Sequence, residues 1–230
     1  MKAIAHIHTK YSFDCIMNPK KIINKAVKKG IDVIFITDHD TIRGSIEAKK
    51  YAQKNNLPIQ IIIGEEFSTN KGDIIGLFLK EEIQAKDAQT IINEIKKQDG
   101  LVVLRHPYHG HKESDILQLT GIDFIEIFNP RENKIQTQKA NKLAQTLRKK
   151  QWVGSDAHLY SELFNSEMEF DSLDSFKKGK IKITKTKKTK KWKIQLSKTI
   201  KGIKHRKIKL FASGIKGIII HLIKKKKKNT

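Results

Sequence analysis

The chain has 230 residues, 38% of them hydrophobic and 31% charged, which suits one sizeable folded core with a polar annex. Its net charge of +23 is uneven: residues 1–170 hold 25 Lys and Arg against 22 Asp and Glu, whereas residues 171–230 hold 22 against 2. A lone cysteine, Cys15, excludes an intrachain disulfide; the first residues lack the apolar stretch of a signal peptide and no apolar run reaches bilayer length, so a cytoplasmic protein is expected.

β and α patterns alternate along the chain. Ala3–Ile7 is a short apolar run. Asn18-Pro19 opens a helix, Asn as its cap and Pro at its first position, and Gly30 closes it. Ile31–Thr37 is β-branched and continuously apolar, as in a strand buried on both faces. Thr41 to Asn55 reads as a helix and Ile59–Ile63 as a buried strand. Asp73–Leu79 is a strand after the turn Asn70-Lys71-Gly72. Asp87–Gln98 is a helix stopped by Gly100, and Leu101–Leu104 and Asp123–Phe128 are strands. Glu132–Lys150 is a long helix, and Gln151–Gly154 is the last short strand.

Seven strands, mostly separated by helices, imply right-handed crossovers and parallel pairing. An open doubly wound sheet and a closed barrel both fit. The barrel is preferred, because metal-ligand side chains fall at the C-terminal ends of strands from first to last. Those ends form a ring only in a barrel.

His6 and His8 share one strand face if the strand is regular, so their imidazoles can chelate one cation. Asp156 and His158 repeat the spacing after the last strand, which in a barrel lies beside the first. Alone, each pair is as consistent with hydrogen-bonded strand residues; together they point to metal. Asp38-His39-Asp40 follows the most apolar strand, where charge needs a partner. Asp40 or Thr41 is read as the cap of the next helix, and His39, a poor cap, as a ligand. Of Glu65 and Glu66, one should point inward and the other into solvent. His106 precedes Pro107, which fixes a turn, and His109 and His111 are read as loop residues.

HIHTKYSFD, ITDHDT, GEEFST, RHPY and GSDAH, in this order, resemble the PHP (polymerase and histidinol phosphatase) family over roughly residues 1–178. The resemblance implies an α/β fold, a distorted (β/α)7 barrel, with a trinuclear metal site and phosphoesterase activity. It places His6, His8, Glu66 and Asp156 on one ion. Glu66 would bridge to a second ion held also by His106, and Asp14, His39 and His158 would hold a third. Relatives often carry His where this chain has Asp73, so the second site departs from the pattern. Glu126 and Asn129 are lesser candidates for the same neighbourhood.

The expected cofactors are two to three divalent metal ions, Zn, Mn or Fe, which mixed nitrogen and oxygen ligands suit. Such ions lower the pKa of water, supplying a metal-activated hydroxide for attack on a phosphate ester. The expected substrate is a small phosphorylated metabolite or a nucleotide end. Asp38 is the candidate proton relay, and Arg105 and Arg131 are candidate substrate-phosphate clamps. An exonuclease-like phosphodiesterase and a catalytically silent binding module are the alternatives.

The expected division is a barrel over residues 1–176 and a Lys-rich extension over 177–230. The extension carries an apolar piece, LFASGIKGIIIHLI, too short to span a bilayer. Docking on an anionic membrane surface, nucleic-acid binding and plain compositional bias are its competing readings. Bias is preferred, because Lys outnumbers Arg 21 to 1 in residues 171–230.

Overall fold

A computed structural model of the chain describes residues 1–109 and 112–226. His111 and the last residues of the terminal lysine run, 227–230, lie outside the described residues. The expected strands all form: β1 (Lys2–Ile7), β2 (Val33–His39), β3 (Gln60–Thr69), β4 (Gly72–Leu77), β5 (Leu101–Leu104), β6 (Phe124–Phe128) and β7 (Lys150–Val153). So do the expected helices between them, α1 (Pro19–Val27), α2 (Arg43–Lys54), α3 (Ala88–Lys97) and α5 (Lys134–Thr146), and a short α4 (Glu113–Ile116) that the sequence reading did not include lies between β5 and β6. Asn18 caps α1 by accepting from the Lys20 amide, with Pro19 beside it, and Gly30 takes φ +65° just past the end.

Beyond β7 the chain adds β8 (Ser166–Glu169), α6 (Leu173–Lys177), β9 (Lys182–Thr186), α7 (Lys191–Lys204) and α8 (Ile208–Lys226). The strands make one nine-stranded sheet in the order β7-β6-β5-β4-β3-β2-β1-β8-β9. The sheet closes on itself past β7. Ser155 donates its amide to the Ala5 carbonyl, Ala157 donates to His6, and His8 donates back to Ala157. The first and last barrel strands are therefore neighbours, as the ligand spacing required.

Pairing is not all parallel. β4 runs antiparallel to both β3 and β5, because Asn70-Lys71 leaves no room for a crossover helix between β3 and β4. A second departure lies in β1, whose register against β2 breaks between Ile4 and Ile7, at His6 with φ +59°. His6 and His8 converge through this bulge rather than through simple strand alternation.

Alternate residues of β2 serve different layers. Val33 and Phe35 join Trp152, Phe124 and Phe176, while Ile34 and Ile36 pack with Ile22 and Ile23 of α1. Phe176 of α6 sits 4.8 Å from the Phe35 ring and 5.3 Å from Phe124. It plugs the barrel floor, at the end where β8 pairs with the start of β1. Among the described residues, no helix is long and apolar enough to cross a membrane.

Candidate metal centre

All of the predicted ligands meet at the other end of the barrel. Their ligand atoms form three overlapping groups: His8, Asp14, His39 and His158; His6, His8 and Glu66; Glu66, Asp73 and His106. Within each group those atoms lie within 4.8 Å of one another. Asp156 joins them, its Oδ1 3.5 Å from His8 Nε2 and 3.4 Å from His158 Nδ1. The imidazoles of His8 and His39 stack at 4.6 Å, and His8 and His158 lie 4.2 Å apart.

The strand ends are bent to achieve this. His6, His106 and Asp156 have φ of +59°, +22° and +41°, backbone that L-residues avoid unless surrounding structure enforces it. Gly154 is required beside them. A Cβ there would strike Glu126 Oε1 and the His6 side chain.

The residues present fit divalent cations, as the outward nitrogens of the rings show. His106 Nδ1 lies 2.9 Å from the His109 carbonyl, and His158 Nδ1 lies 3.1 Å from the Asp156 carbonyl. A carbonyl only accepts, so each Nδ1 carries its proton and each Nε2 keeps its lone pair. His8 Nδ1 meets Ser12 Oγ, whose own proton goes to Asp38, so the same holds there. His6 Nδ1 lies 2.7 Å from Glu126 Oε1, and a metal-binding His6 would carry its proton there. Its Nε2 then faces Glu66 Oε2 at 2.8 Å, two electron-rich atoms that a shared cation reconciles. Burial, and then the charge of His158, keeps His8 well below its ordinary pKa, so it stays neutral and able to ligate. Burial opposes the ionisation of Asp14 and Asp156. The histidines around them outweigh it, and for Asp156 Arg131 adds to this, so both are held well below the carboxylate range.

Several groups behave differently from expectation. Glu65 does not face solvent: it is 2% exposed, and burial followed by repulsion from Glu82 and Asp40 pushes its pKa up to about 8. Asp40 does not cap α2. Its carboxylate accepts from the Ser68 amide across the sheet, and it is the alternative, Thr41, whose hydroxyl accepts from the Arg43 amide at the start of α2, 3.2 Å away. Asp38 is turned away from the ring, accepting from the Thr9 amide and hydroxyl and from Ser12 Oγ. It braces the loop after β1, and Gly44 leaves room for it. Burial raises it to about 6, against those hydrogen bonds.

The Arg131 guanidinium is anchored at every nitrogen, to the Asp156 carbonyl, Ser197 Oγ and Glu162 Oε2. Arg105 lies inside the ring, ion-paired with Glu66 and Asp73. Glu126 joins His6, the His106 amide and Asn129, and Asn129 reaches Asp156 at 3.1 Å.

Six of the candidate ligands, Asp14, His39, Asp73, His106, Asp156 and His158, line a cleft of about 450 Å³, whose rim includes Ile194 and Lys201 of α7. Lys201 Nζ sits 4.2 Å over the Phe13 ring, and Lys204 Nζ donates to the carbonyls of Lys10, Ser12 and Cys15, around Asp14. The sequence reading missed these two lysines, since nothing distinguishes them within a lysine-rich run.

Residues 5–192 match the PHP domain family. The chain belongs to that family. Two uncharacterized proteins of Methanocaldococcus jannaschii resemble this PHP chain. One is 40% identical over 147 residues, 56% of this chain and 82% of the relative; the other is 32% identical over 186 residues, 76% and 72%. A 65-residue stretch is 37% identical to a 5'-3' exoribonuclease of Haemophilus influenzae, 28% of this chain and 23% of that one. Among solved structures, an amidohydrolase from Chromobacterium violaceum with bound sulfate superposes with a TM-score of 0.60 at 15% identity, covering 79% of this chain and 97% of that one. A candidate metal-dependent phosphoesterase from Bifidobacterium adolescentis gives 0.57 at 14% identity, covering 69% and 88%. At such identities these two attest the barrel fold alone.

Proposed function

We propose that this PHP protein is a metal-dependent phosphoesterase acting on a small phosphorylated metabolite or a nucleotide end. The observation that carries the reading is the ring of imidazole Nε2 lone pairs aimed at Asp14, Glu66 and Asp156 in one cleft. His6, His8, Glu66 and Asp156 would hold one ion, and Asp14, His39 and His158 another. Divalent cations there supply an acidified water and neutralise charge building on phosphate oxygens.

The chain's own residues do the rest. Glu126 fixes the His6 tautomer and, with Asn129, the position of Asp156. Arg131 holds the Asp156 turn from the other side, a positioning role. Lys201, on the rim and not tied to a carboxylate among the interactions described, is placed to bind a phosphate oxygen. A cleft of about 450 Å³ admits a ligand of nucleotide size.

The exoribonuclease match favours a second reading, a phosphodiesterase on short nucleic acids. A panel of sugar phosphates, mononucleotides, bisphosphorylated nucleosides and short oligonucleotides, assayed with Mn or Zn, separates the two. Turnover of mononucleotides but not oligonucleotides is expected. A fully metal-loaded protein inert on every phosphate ester would overturn the proposal.

A further inference from the structure

Arg105 reaches into the ring of candidate ligands and contacts two of its carboxylates. It follows β5 directly, is 7% exposed, and ends in a guanidinium that carries its charge at every working pH. Nη1 is ion-paired with Glu66 Oε1 and lies 3.0 Å from Asp73 Oδ2; Nη2 is 3.8 Å from Asp156 Oδ2. Glu66 and Asp73 are the two carboxylates of the group completed by His106.

The oxygens of Glu66 are divided by this contact. Oε2 faces the Nε2 atoms of His6 and His8, at 2.8 and 3.4 Å. Oε1 faces Arg105. An ion held by His6 and His8 uses Oε2 and leaves the arginine undisturbed. An ion at the Glu66–Asp73–His106 corner would compete for the same oxygens with a fixed positive charge, in a buried setting where like charges repel strongly.

We infer that Arg105 is a built-in cation that replaces one metal ion at the Glu66–Asp73–His106 corner, so that the centre binds two divalent ions rather than three. The inference rests on the metal-centre reading given under Proposed function. It also accounts for Asp73. An imidazole at that position would serve a metal but could not neutralise a guanidinium, whereas a carboxylate does so at hydrogen-bond distance. The departure at Asp73 and the arginine before His106 are one paired feature. Because Arg105 also lines the cleft, its remaining N–H groups take over the contact to a substrate oxyanion that the absent ion would have made.

The test is a count of ions on the full chain. The protein is stripped with chelator, reloaded with Zn or Mn, desalted, and measured by native mass spectrometry and elemental analysis. Two ions per chain are expected, with anomalous scattering at the His6–His8–Glu66 and Asp14–His39–His158 groups and none beside Asp73. Arg105→Met, which keeps the stem and removes the charge, should gain a third ion; Arg105→Lys should stay at two. Three ions on the unmodified chain would overturn the inference and leave the metal centre intact. No bound ion would overturn both. Two ions on unmodified protein and on folded Arg105→Met alike would also overturn the exclusion. Should Arg105→Met fail to fold, the count and ion positions on the unmodified chain decide the matter.

Discussion

At the barrel mouth, His6, His8, Glu66 and Asp156 are each 3% exposed or less, and each ionisable group there is defined by its neighbours. In the extension, a lysine such as Lys182 of β9 lies exposed at the sheet edge. The mouth buries its charged groups against one another; the extension carries most of the protein's net charge, with +20 of the +23 in residues 171–230, largely on exposed lysines. Lys201 and Lys204 cross from one regime to the other, because α7 lies beside the mouth. Charge matters to this protein by geometry and not by quantity.

The sharpest way to break that contrast is at the mouth. His8→Ala removes the imidazole that lies where two of the candidate groups overlap and should abolish both bound metal and turnover, read by elemental analysis and phosphate release. Gly154→Ala should come next. Its methyl displaces Glu126 from His6, costing about 1–3 kcal/mol in urea unfolding and most of the activity. Lys204→Met strips a charged donor from three loop carbonyls and should cost roughly 1–3 kcal/mol while weakening metal retention at Asp14. Lys182→Ala, on exposed β9, should shift stability by no more than about 0.5 kcal/mol and leave activity unchanged. A Lys182 effect as large as that of Lys204 would erase the distinction between the two kinds of lysine.

A pH experiment sharpens the same comparison. Burial, with repulsion from Glu126, pushes Glu132 from an ordinary 4.5 up to about 8. The folded state therefore holds a proton that the unfolded state releases between those values. In chelated protein this group's contribution is intact below pH 4.5 and is lost as pH rises towards 8. Glu132→Gln should match the parent at pH 4.5 and exceed it in stability at pH 8, by urea unfolding at each pH.

The barrel and the clustering of His6, His8, His39, Asp156 and His158 were legible from local rules, whereas Asp14 and the choice of Glu66 over Glu65 came from the family resemblance. Apolar runs ending in His or Asp mark strands and their C-terminal ends, and ring closure follows from the pairing of His6-His8 with Asp156-His158. The reversal of β4 was legible in hindsight from the length of the Asn70-Lys71 turn. Arg105 was not. An arginine before His106 reads equally as rim or centre until the fold shows Glu66 and Asp73 on either side of it. Nor was Glu65, since adjacent carboxylates do not declare which neighbour the barrel wall covers. The positive φ of His6 arises from closure across β1 and has no glycine to announce it.

The clasp of Lys204 on the Asp14 loop spans 189 residues or more of chain, which gives the site a place in time. During synthesis the barrel strands are complete at Val153, yet the lysine that steadies the loop is added some fifty residues later, about 3–10 seconds at ordinary translation speed. Arrested nascent chains ending just before and well after Lys204 should differ in protease resistance across residues 8–18; equal resistance would remove the idea. Until α7 has emerged, the Asp14 loop lacks these three hydrogen bonds and has to hold its shape by its own contacts.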